Sequence, residues 1–265
     1  TIYHARELAA ELFGVSSPSR VAFAKNATEA LNTAIRGLLA PGDHVIATAA
    51  EHNSVLRPLY ELERKGVSLS ILPCDERGYV RMELLGEFLW PNTRAVVCTH
   101  ASNVTGNVMD VRRAGRFCRE RGLLFILDAS QTAGVCPVKM EETGADVICF
   151  TGHKGLYGPQ GTGGLCVREG VEIAPLLFGG SGIQSYLKTQ PSGMPGRLEA
   201  GTQNGHGLAG LAAGMEFVLR TGIRRIGERE QTLARRFYEG IRSIPGIRVY
   251  GDVQAPDHTG VVSFN

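Results

Sequence analysis

Short continuous apolar runs recur along the chain, and most are separated by stretches in which apolar residues return with helical spacing. Continuous rather than alternating hydrophobicity indicates strands buried on both faces, and strand–helix alternation favours a mostly parallel sheet. The pattern predicts an α/β fold in which a mostly parallel sheet is the middle of three layers. The runs are VAFA at 21–24, HVIATAA at 44–50, LSILP at 69–73, AVVCTHAS at 95–102, LLFILDAS at 123–130, DVICFTG at 146–152 and GGLCVR at 163–168.

The pattern changes after residue 170. A connection rich in glycine and proline covers 176–197, helical periodicity then extends to about 243, and the last residues read as a strand, a loop and a second strand. We therefore predict a large domain over 1–222 and the beginning of a smaller C-terminal α/β domain over 223–265.

Composition narrows the function classes. The formal charge of +2 gives no reason to expect nucleic acid or an acidic membrane as the main partner. The arginine-rich segment 220–236 is interleaved with glutamates and is typical of a solvated helix face. No apolar run approaches the roughly 18 residues of a membrane span, and the N-terminal stretch 1–14 reads as an amphipathic helix, not a signal peptide. These features predict a cytoplasmic protein.

The six cysteines include no C-x-x-C pair, so the sequence suggests neither a zinc site nor a redox motif. A reducing compartment fits this usage. Cys98, Cys149 and Cys166 lie inside apolar runs, where a free cysteine usually packs as a small core residue.

Polar residues follow five of the apolar runs. Ligands of open parallel sheets bind at the carboxyl ends of the strands. Five polar strand ends together therefore indicate a ligand-binding site lined by polar residues. These stretches are KNATE after 24, EHNS after 50, SNVTG after 101, DASQT after 127 and TGHKG after 150.

Each of these stretches also has a purely structural interpretation. Asn26 with Glu29 forms a capping-box pattern, which caps a helix or offers free amides to a phosphate. Asp128 either caps the segment after it or meets a cationic ligand, and a lone histidine such as His52 is more often simply hydrogen-bonded. Lys154, between two glycines at the end of a buried strand, is placed as Schiff-base lysines are. Dinucleotide and P-loop glycine motifs are missing from the sequence.

Six motifs in one order carry a family likeness. The series resembles the class V aminotransferase group of fold-type I pyridoxal-phosphate enzymes, most closely its cysteine desulfurase and selenocysteine lyase branch. Each motif is weak alone, but the ordered series covers about residues 20–215 and is specific. The motifs are NATEALN, EHNSVLRPL, HASNVTG, DASQTAG, FTGHKGLYGPQGTGGL and RLEAGTQN.

The resemblance implies a pyridoxal 5'-phosphate cofactor and a reaction that removes sulfur or selenium from L-cysteine or selenocysteine and leaves alanine. Lys154 matches the family's lysine that binds the cofactor covalently and shuttles protons. His52 matches the histidine that stacks on the cofactor ring and assists proton transfer. Asp128 matches the carboxylate that pairs with the pyridine nitrogen, and the charge of that carboxylate favours a protonated nitrogen.

The resemblance implies further cofactor contacts. The start of the helix at Ala27 and Thr28 matches the phosphate-binding turn, and Thr202 matches a residue that reaches the phosphate of a neighbouring subunit, which implies a homodimer. The other matched positions contact the ring hydroxyl or the phosphate; they are Asn103 and Gln131 for the hydroxyl, and Thr151 and His153 for the phosphate.

In the desulfurase branch, a cysteine on a C-terminal loop attacks the substrate sulfur, and an arginine binds the substrate carboxylate. None of the six cysteines here falls at a matching position, so we expect both groups beyond residue 265, and the family's N-terminal segment ahead of residue 1. A sulfur-acceptor protein is a further expected partner. An aminotransferase or epimerase of the same fold, and a fragment or scaffold without activity, remain the alternatives.

Overall fold

A computed structural model describes residues 2–265 and contains a seven-stranded sheet. The strand order is β1-β7-β6-β5-β4-β2-β3, in which β7 is antiparallel to both neighbours and the other pairs are parallel. All seven apolar runs lie on these strands, and the mostly parallel sheet is confirmed. The strands are β1 (Val21–Ala24), β2 (His44–Thr48), β3 (Ser68–Leu72), β4 (Thr93–Thr99), β5 (Leu124–Asp128), β6 (Val147–Thr151) and β7 (Gly163–Val167).

Helices cover both faces of the sheet, which confirms the three-layer prediction. Side chains of β5 alternate between two cores: Phe125 and Leu127 pack in one core and Ile126 packs in the other. The first core includes residues of α1, α4 and α6, and the second includes residues of α2 and α3. The helices are α1 (Ile2–Phe13), α2 (Ala27–Leu38), α3 (Asn53–Glu63), α4 (Val111–Arg121), α5 (Met140–Thr143), α6 (Gly205–Thr221) and α7 (Ile223–Ile241), with 3₁₀ turns at Pro18–Arg20 and Met82–Leu84.

The edge strand β3 departs from the prediction of burial on both faces. Four of its five residues are only partly buried, and the fifth, Leu72, is fully buried. The strand has a single hydrogen-bonded neighbour, β2, so one side of it meets solvent. Its serines at 68 and 70 suit that half-exposed position.

The C-terminal part contains α7 and a two-stranded antiparallel pair, β8 (Val249–Tyr250) and β9 (Ser263–Phe264). Helix α7 buries Ile226 and Ala234 and exposes most of its arginines, which confirms the solvated helix face. Gly222 separates α6 from α7 at a φ of 91°, a conformation that favours glycine. The domain division at 222 and 223 stays a prediction. Among residues 2–265, no helix is both long and apolar enough to cross a bilayer.

Candidate active site

The carboxyl ends of β2, β4, β5 and β6 and the amino end of α2 surround a cavity of about 290 Å³. Parallel strands end at one edge of a sheet, which is why residues far apart in sequence meet there. The structure brings nine of the ten candidate residues to the wall of this cavity: Ala27, Thr28, His52, Asn103, Asp128, Gln131, Thr151, His153 and Lys154.

The amino end of α2 forms one part of the wall. Asn26 Oδ1 accepts a hydrogen bond from Glu29 N at 3.0 Å, as the capping pattern predicts. In a capping box the glutamate side chain accepts from the backbone N–H of the N-cap residue, here Asn26. Glu29 Oε2 instead accepts from the preceding residue, Lys25 N, at 2.7 Å. The amides of Ala27 and Thr28 lie in the first turn, where a helix offers them no acceptor, and both residues line the cavity. The cap therefore stabilises the helix and also presents its positive end to the cavity.

His52 is held by the start of α3. Its Nδ1 accepts from Ser54 N at 3.1 Å and lies 2.9 Å from Ser54 Oγ. That hydroxyl is in turn 2.8 Å from Thr28 Oγ1, so α2 and α3 are joined through Ser54. Because Nδ1 accepts the backbone bond, the proton of a neutral His52 ring lies on Nε2.

Asp128 ends β5 and is buried, with 4% of its surface exposed. Its Oδ1 accepts from the amide of Ser130 at 2.9 Å and from the hydroxyl of the same residue. Burial raises the pKa of Asp128, while the two bonds from Ser130 and the charges of Lys154 and His52 act in the opposite direction. Burial is the largest of these effects, so the ionised form of Asp128 would be favoured by a further cation in the cavity.

Lys154 lies on a tight turn after β6. The turn is closed by a hydrogen bond from Gly158 N to Gly152 O at 2.8 Å. A Cβ at Gly152 would lie 2.1 Å from Thr162 Oγ1, and one at Gly155 would lie 2.6 Å from Ala133 O. The glycines beside Lys154 thus let the turn pack closely on its neighbours, and a side chain at either would displace the lysine.

The preceding residues add two polar groups to the same wall. Thr151 is buried at the end of β6, and its Oγ1 lies 3.0 Å from His153 Nδ1. His153 and Lys154 are exposed, so this side of the cavity is open to solvent.

Thr202 is the candidate residue that the structure does not bring to the cavity. It is exposed and borders a separate cavity of about 140 Å³ next to Lys25 and Gln203. A contact of Thr202 with the cavity of a second copy stays a prediction.

Four residues near the site were not named individually from the sequence: Ser54, Ser130, Thr99 and Glu51. Three of them lie inside the polar stretches EHNS and DASQT that were predicted to line a site. Ser130 had a local signal, because a serine two residues after an aspartate commonly donates to it in an Asx-type turn. Ser54 and Thr99 contact the site only through the assembled fold. Glu51 lies in the predicted stretch EHNS, but nothing in the sequence distinguishes it from its polar neighbours.

The cysteines lie away from the cavity. Of the residues from 2 to 265, no cysteine lines its wall. Cys98, Cys149 and Cys166 are buried in the cores as predicted. Burial raises the pKa of the Cys136 thiol to about 11, so this half-buried thiol is protonated at neutral pH.

Comparison with known proteins gives a consistent result. The family model described as aminotransferase class V matches residues 1–265. A probable cysteine desulfurase of Methanothermobacter thermautotrophicus is 36% identical over 272 residues, which cover 100% of the chain and 66% of the relative. A probable cysteine desulfurase of Pyrococcus abyssi is 35% identical, over 92% of the chain and 63% of the relative.

A solved structure agrees with these sequence matches. The apo structure of a cysteine desulfurase from Thermococcus onnurineus superposes with a TM-score of 0.92 at 33% identity, covering 100% of the chain and 68% of that structure. The chain therefore spans about two thirds of the length of the proteins that it resembles.

Proposed function

The chain belongs to the class V aminotransferase family, whose members use pyridoxal phosphate, and we propose on that premise that the protein is a cysteine desulfurase. The proposed reaction removes sulfur from L-cysteine, or selenium from selenocysteine, and leaves alanine. One observation carries the proposal: a lysine, a buried aspartate and a helix amino end line the same cavity.

The donor set of this cavity fits pyridoxal phosphate. The amides of Ala27 and Thr28 at the positive end of α2 suit a phosphate, and Thr151 and His153 add polar groups to the same wall. Asp128 suits the protonated nitrogen of a pyridine ring, because its burial is costly without a cation. When bound, the cofactor supplies an electron-poor ring that accepts the electron pair left at the substrate's α carbon.

Lys154 is the proposed nucleophile and proton carrier. Its side chain is exposed at the cavity and forms no salt bridge with any residue from 2 to 265. An unpaired amine on a fixed turn is available for covalent attachment and afterwards for moving a proton at the substrate.

His52 is the proposed ring-stacking residue and second proton-transfer group. Its bonds to Ser54 hold the Nδ1 edge at the start of α3 and leave Nε2 for a proton. Asn103 and Gln131 are the proposed contacts to the ring hydroxyl, and both line the cavity.

We further propose that the protein is a cytoplasmic homodimer in which Thr202 serves the cavity of the second copy, and that a sulfur-acceptor protein is its partner. For the thiol that receives the sulfur we propose no residue from 2 to 265, because the cysteines of this part lie away from the cavity.

The test combines colour, trapping and product. Purified protein with added pyridoxal phosphate is expected to gain visible absorbance, and borohydride should fix the cofactor on the chain. Lys154→Ala should abolish trapping, while the control Lys65→Ala, at an exposed lysine of a surface pair, should keep it. Wild-type protein that stays colourless would overturn the cofactor assignment. Turnover that depends on a keto acid and releases no sulfide would instead establish an aminotransferase.

A further inference from the structure

Glu51 lies beside the proposed cofactor cavity but has no part in the mechanism above. It occupies the turn between β2 and α3, directly before His52, and is 8% exposed. Its Oε1 accepts from Thr48 Oγ1 at 2.6 Å and from Thr99 N at 2.7 Å. Thr48 ends β2 and Thr99 ends β4, so this carboxyl group connects the ends of two adjacent strands.

The other oxygen of the same carboxyl group has no partner. Glu51 Oε2 is buried and has no hydrogen-bond partner among residues 2–265. An ionised carboxylate that is buried with one oxygen unsolvated is costly, and binding a proton removes that cost.

A second carboxyl group lies on the adjoining strand. Thr99, which donates to Glu51, is paired in register with Asp128. Ionising two buried carboxyl groups that feel each other's charge is costly, so the negative charge resides on the one with better support. Asp128 has two donors from Ser130 and the nearby charges of Lys154 and His52. Glu51 has two neutral donors, both on one oxygen.

The other groups that face Glu51 do not supply a positive charge. The Cys98 thiol on β4 and the Cys74 thiol after β3 are near enough to feel its charge, and burial raises the pKa of both. Burial also raises the pKa of Glu51 to about 8; its bonds from Thr48 and Thr99 oppose that shift and the charge of Asp128 adds to it.

We infer that Glu51 is a positioning residue that retains its proton: as a neutral acid it joins the turn carrying His52 to the end of β4 and leaves the negative charge on Asp128. An ionised Glu51 would place a second negative charge near Asp128 and would favour the protonated form of Asp128. Asp128 would then lose its attraction for a protonated ring nitrogen. This last consequence rests on the proposed function, whereas the protonation of Glu51 does not.

Infrared spectroscopy of the cofactor-free protein tests the protonation directly. At neutral pH the wild type should show the carbonyl stretch of a protonated carboxylic acid, shifted by ¹³C-labelled glutamate and by D₂O. Glu51→Gln should remove this band. Glu230→Gln is the matched control, since Glu230 is the other glutamate whose pKa burial clearly raises, and the band should survive there. Absence of the band from labelled wild type overturns the inference even if a variant fails to fold.

The pH dependence of stability gives a second readout. The pKa of Glu51 is raised in the folded state, so its contribution is complete below about pH 4.5 and is lost as the pH rises through about 8. Unfolding by urea should therefore show wild type losing stability relative to Glu51→Gln from about pH 5 to about pH 9, with a slope approaching one proton. A difference that does not change with pH overturns the inference.

The positioning role is tested in the protein loaded with pyridoxal phosphate. Glutamine keeps an acceptor for Thr48 and Thr99 and carries no charge, so Glu51→Gln should bind the cofactor within about twofold of wild type. Glu51→Ala loses both bonds and should bind at least about tenfold more weakly, with a shifted visible spectrum. Equal losses in the two variants would overturn the neutral-acid role. If wild type binds no cofactor, the proposed function fails, and the infrared result still decides the protonation.

Discussion

Two buried glutamates of this protein have the same exposure and opposite surroundings. Glu199 and Glu51 are each 8% exposed. The carboxylate of Glu199 accepts hydrogen bonds from Arg6 Nη1 at 2.7 Å and Arg6 Nη2 at 2.6 Å. It accepts a third from Phe23 N at 2.6 Å. Glu51 receives two neutral donors on one oxygen and none on the other.

These residues represent two regions with different roles. We call Arg6, Phe23 and Glu199 the ion-pair tie, because they join α1 and β1 to the segment that carries Thr202. We call Glu51, Thr99, His100 and Asp128 the cavity floor: Thr99 and Asp128 line the cavity, and Glu51 and His100 are hydrogen-bonded to them from outside its wall. In the ion-pair tie both oxygens of the Glu199 carboxylate accept hydrogen bonds, as is usual for buried polar groups with a structural role. The cavity floor leaves one buried oxygen, Glu51 Oε2, without a donor, and such exceptions are typical of functional sites.

Breaking the ion-pair tie should give the largest effect. Arg6→Ala leaves Glu199 as an uncompensated buried charge and also removes the bond from Arg6 to Val21 O. We expect the free energy of unfolding to fall by about 3–5 kcal/mol, measured by urea denaturation.

The matched control for this prediction removes both charges. The double variant Arg6→Met with Glu199→Leu should cost less than Arg6→Ala alone, because no unpaired charge remains. A loss below about 1 kcal/mol for Arg6→Ala would mean that the buried pair behaves like a surface pair.

Acid should weaken the cavity floor. His100 follows the end of β4 and is buried, with Nδ1 2.9 Å from Thr132 Oγ1. Burial and, to a smaller extent, the charge of Arg112 lower the pKa of His100 to about 4. The contribution of the neutral ring is thus present above pH 6.5 and lost as the pH falls towards 4, by about 3 kcal/mol. Urea unfolding across this range measures the loss.

His100→Gln should reduce the slope of the free energy of unfolding against pH by about one proton, because the glutamine amide does not titrate. An unchanged slope in His100→Gln would place the acid sensitivity elsewhere.

Much of the fold could be predicted from the sequence, because burial on both faces of a strand shows as a continuous apolar run. The exception was β3, whose edge position depends on the strand order and not on its own residues. The wall of the site could be predicted for a similar reason: parallel strands end at one edge, so the polar residues after them meet there.

The two buried glutamates could not be predicted. Glu51 accepts from Thr99, 48 residues away, and Glu199 accepts from Arg6, 193 residues away. No periodic pattern encodes such pairings, because they arise only when separate elements pack together. The ionisation of each glutamate depends on which donors the fold brings to it.

Neutralising Asp128 should separate function from stability within the cavity floor. An asparagine keeps an oxygen that accepts from Ser130 but cannot favour a protonated ring nitrogen. We expect Asp128→Asn to lower turnover about a hundredfold or more, the size typical of one electrostatic contact in an active site. Cofactor content should fall less than turnover, and stability should change by no more than about 1 kcal/mol. Alanine release and visible absorbance measure the two losses, and equal turnover would contradict the role of Asp128.

The smallest expected effect concerns an exposed arginine–glutamate pair on the surface. Arg112 lies 2.7 Å from Glu142, and the two side chains are 62% and 51% exposed. Arg112→Ala should change the free energy of unfolding by less than about 1 kcal/mol, since water already solvates both charges. It should also raise the pKa of His100 slightly, by removing a nearby positive charge, so that the acid loss becomes smaller and levels off at a higher pH. Glu142→Gln breaks the same pair but keeps the charge of Arg112, so it should match the stability change without raising that pKa. Arg112 and Arg6 hold their glutamates at nearly the same distance, so a large difference between Arg112→Ala and Arg6→Ala would assign the strength of the ion-pair tie to its burial together with the additional bonds of Arg6.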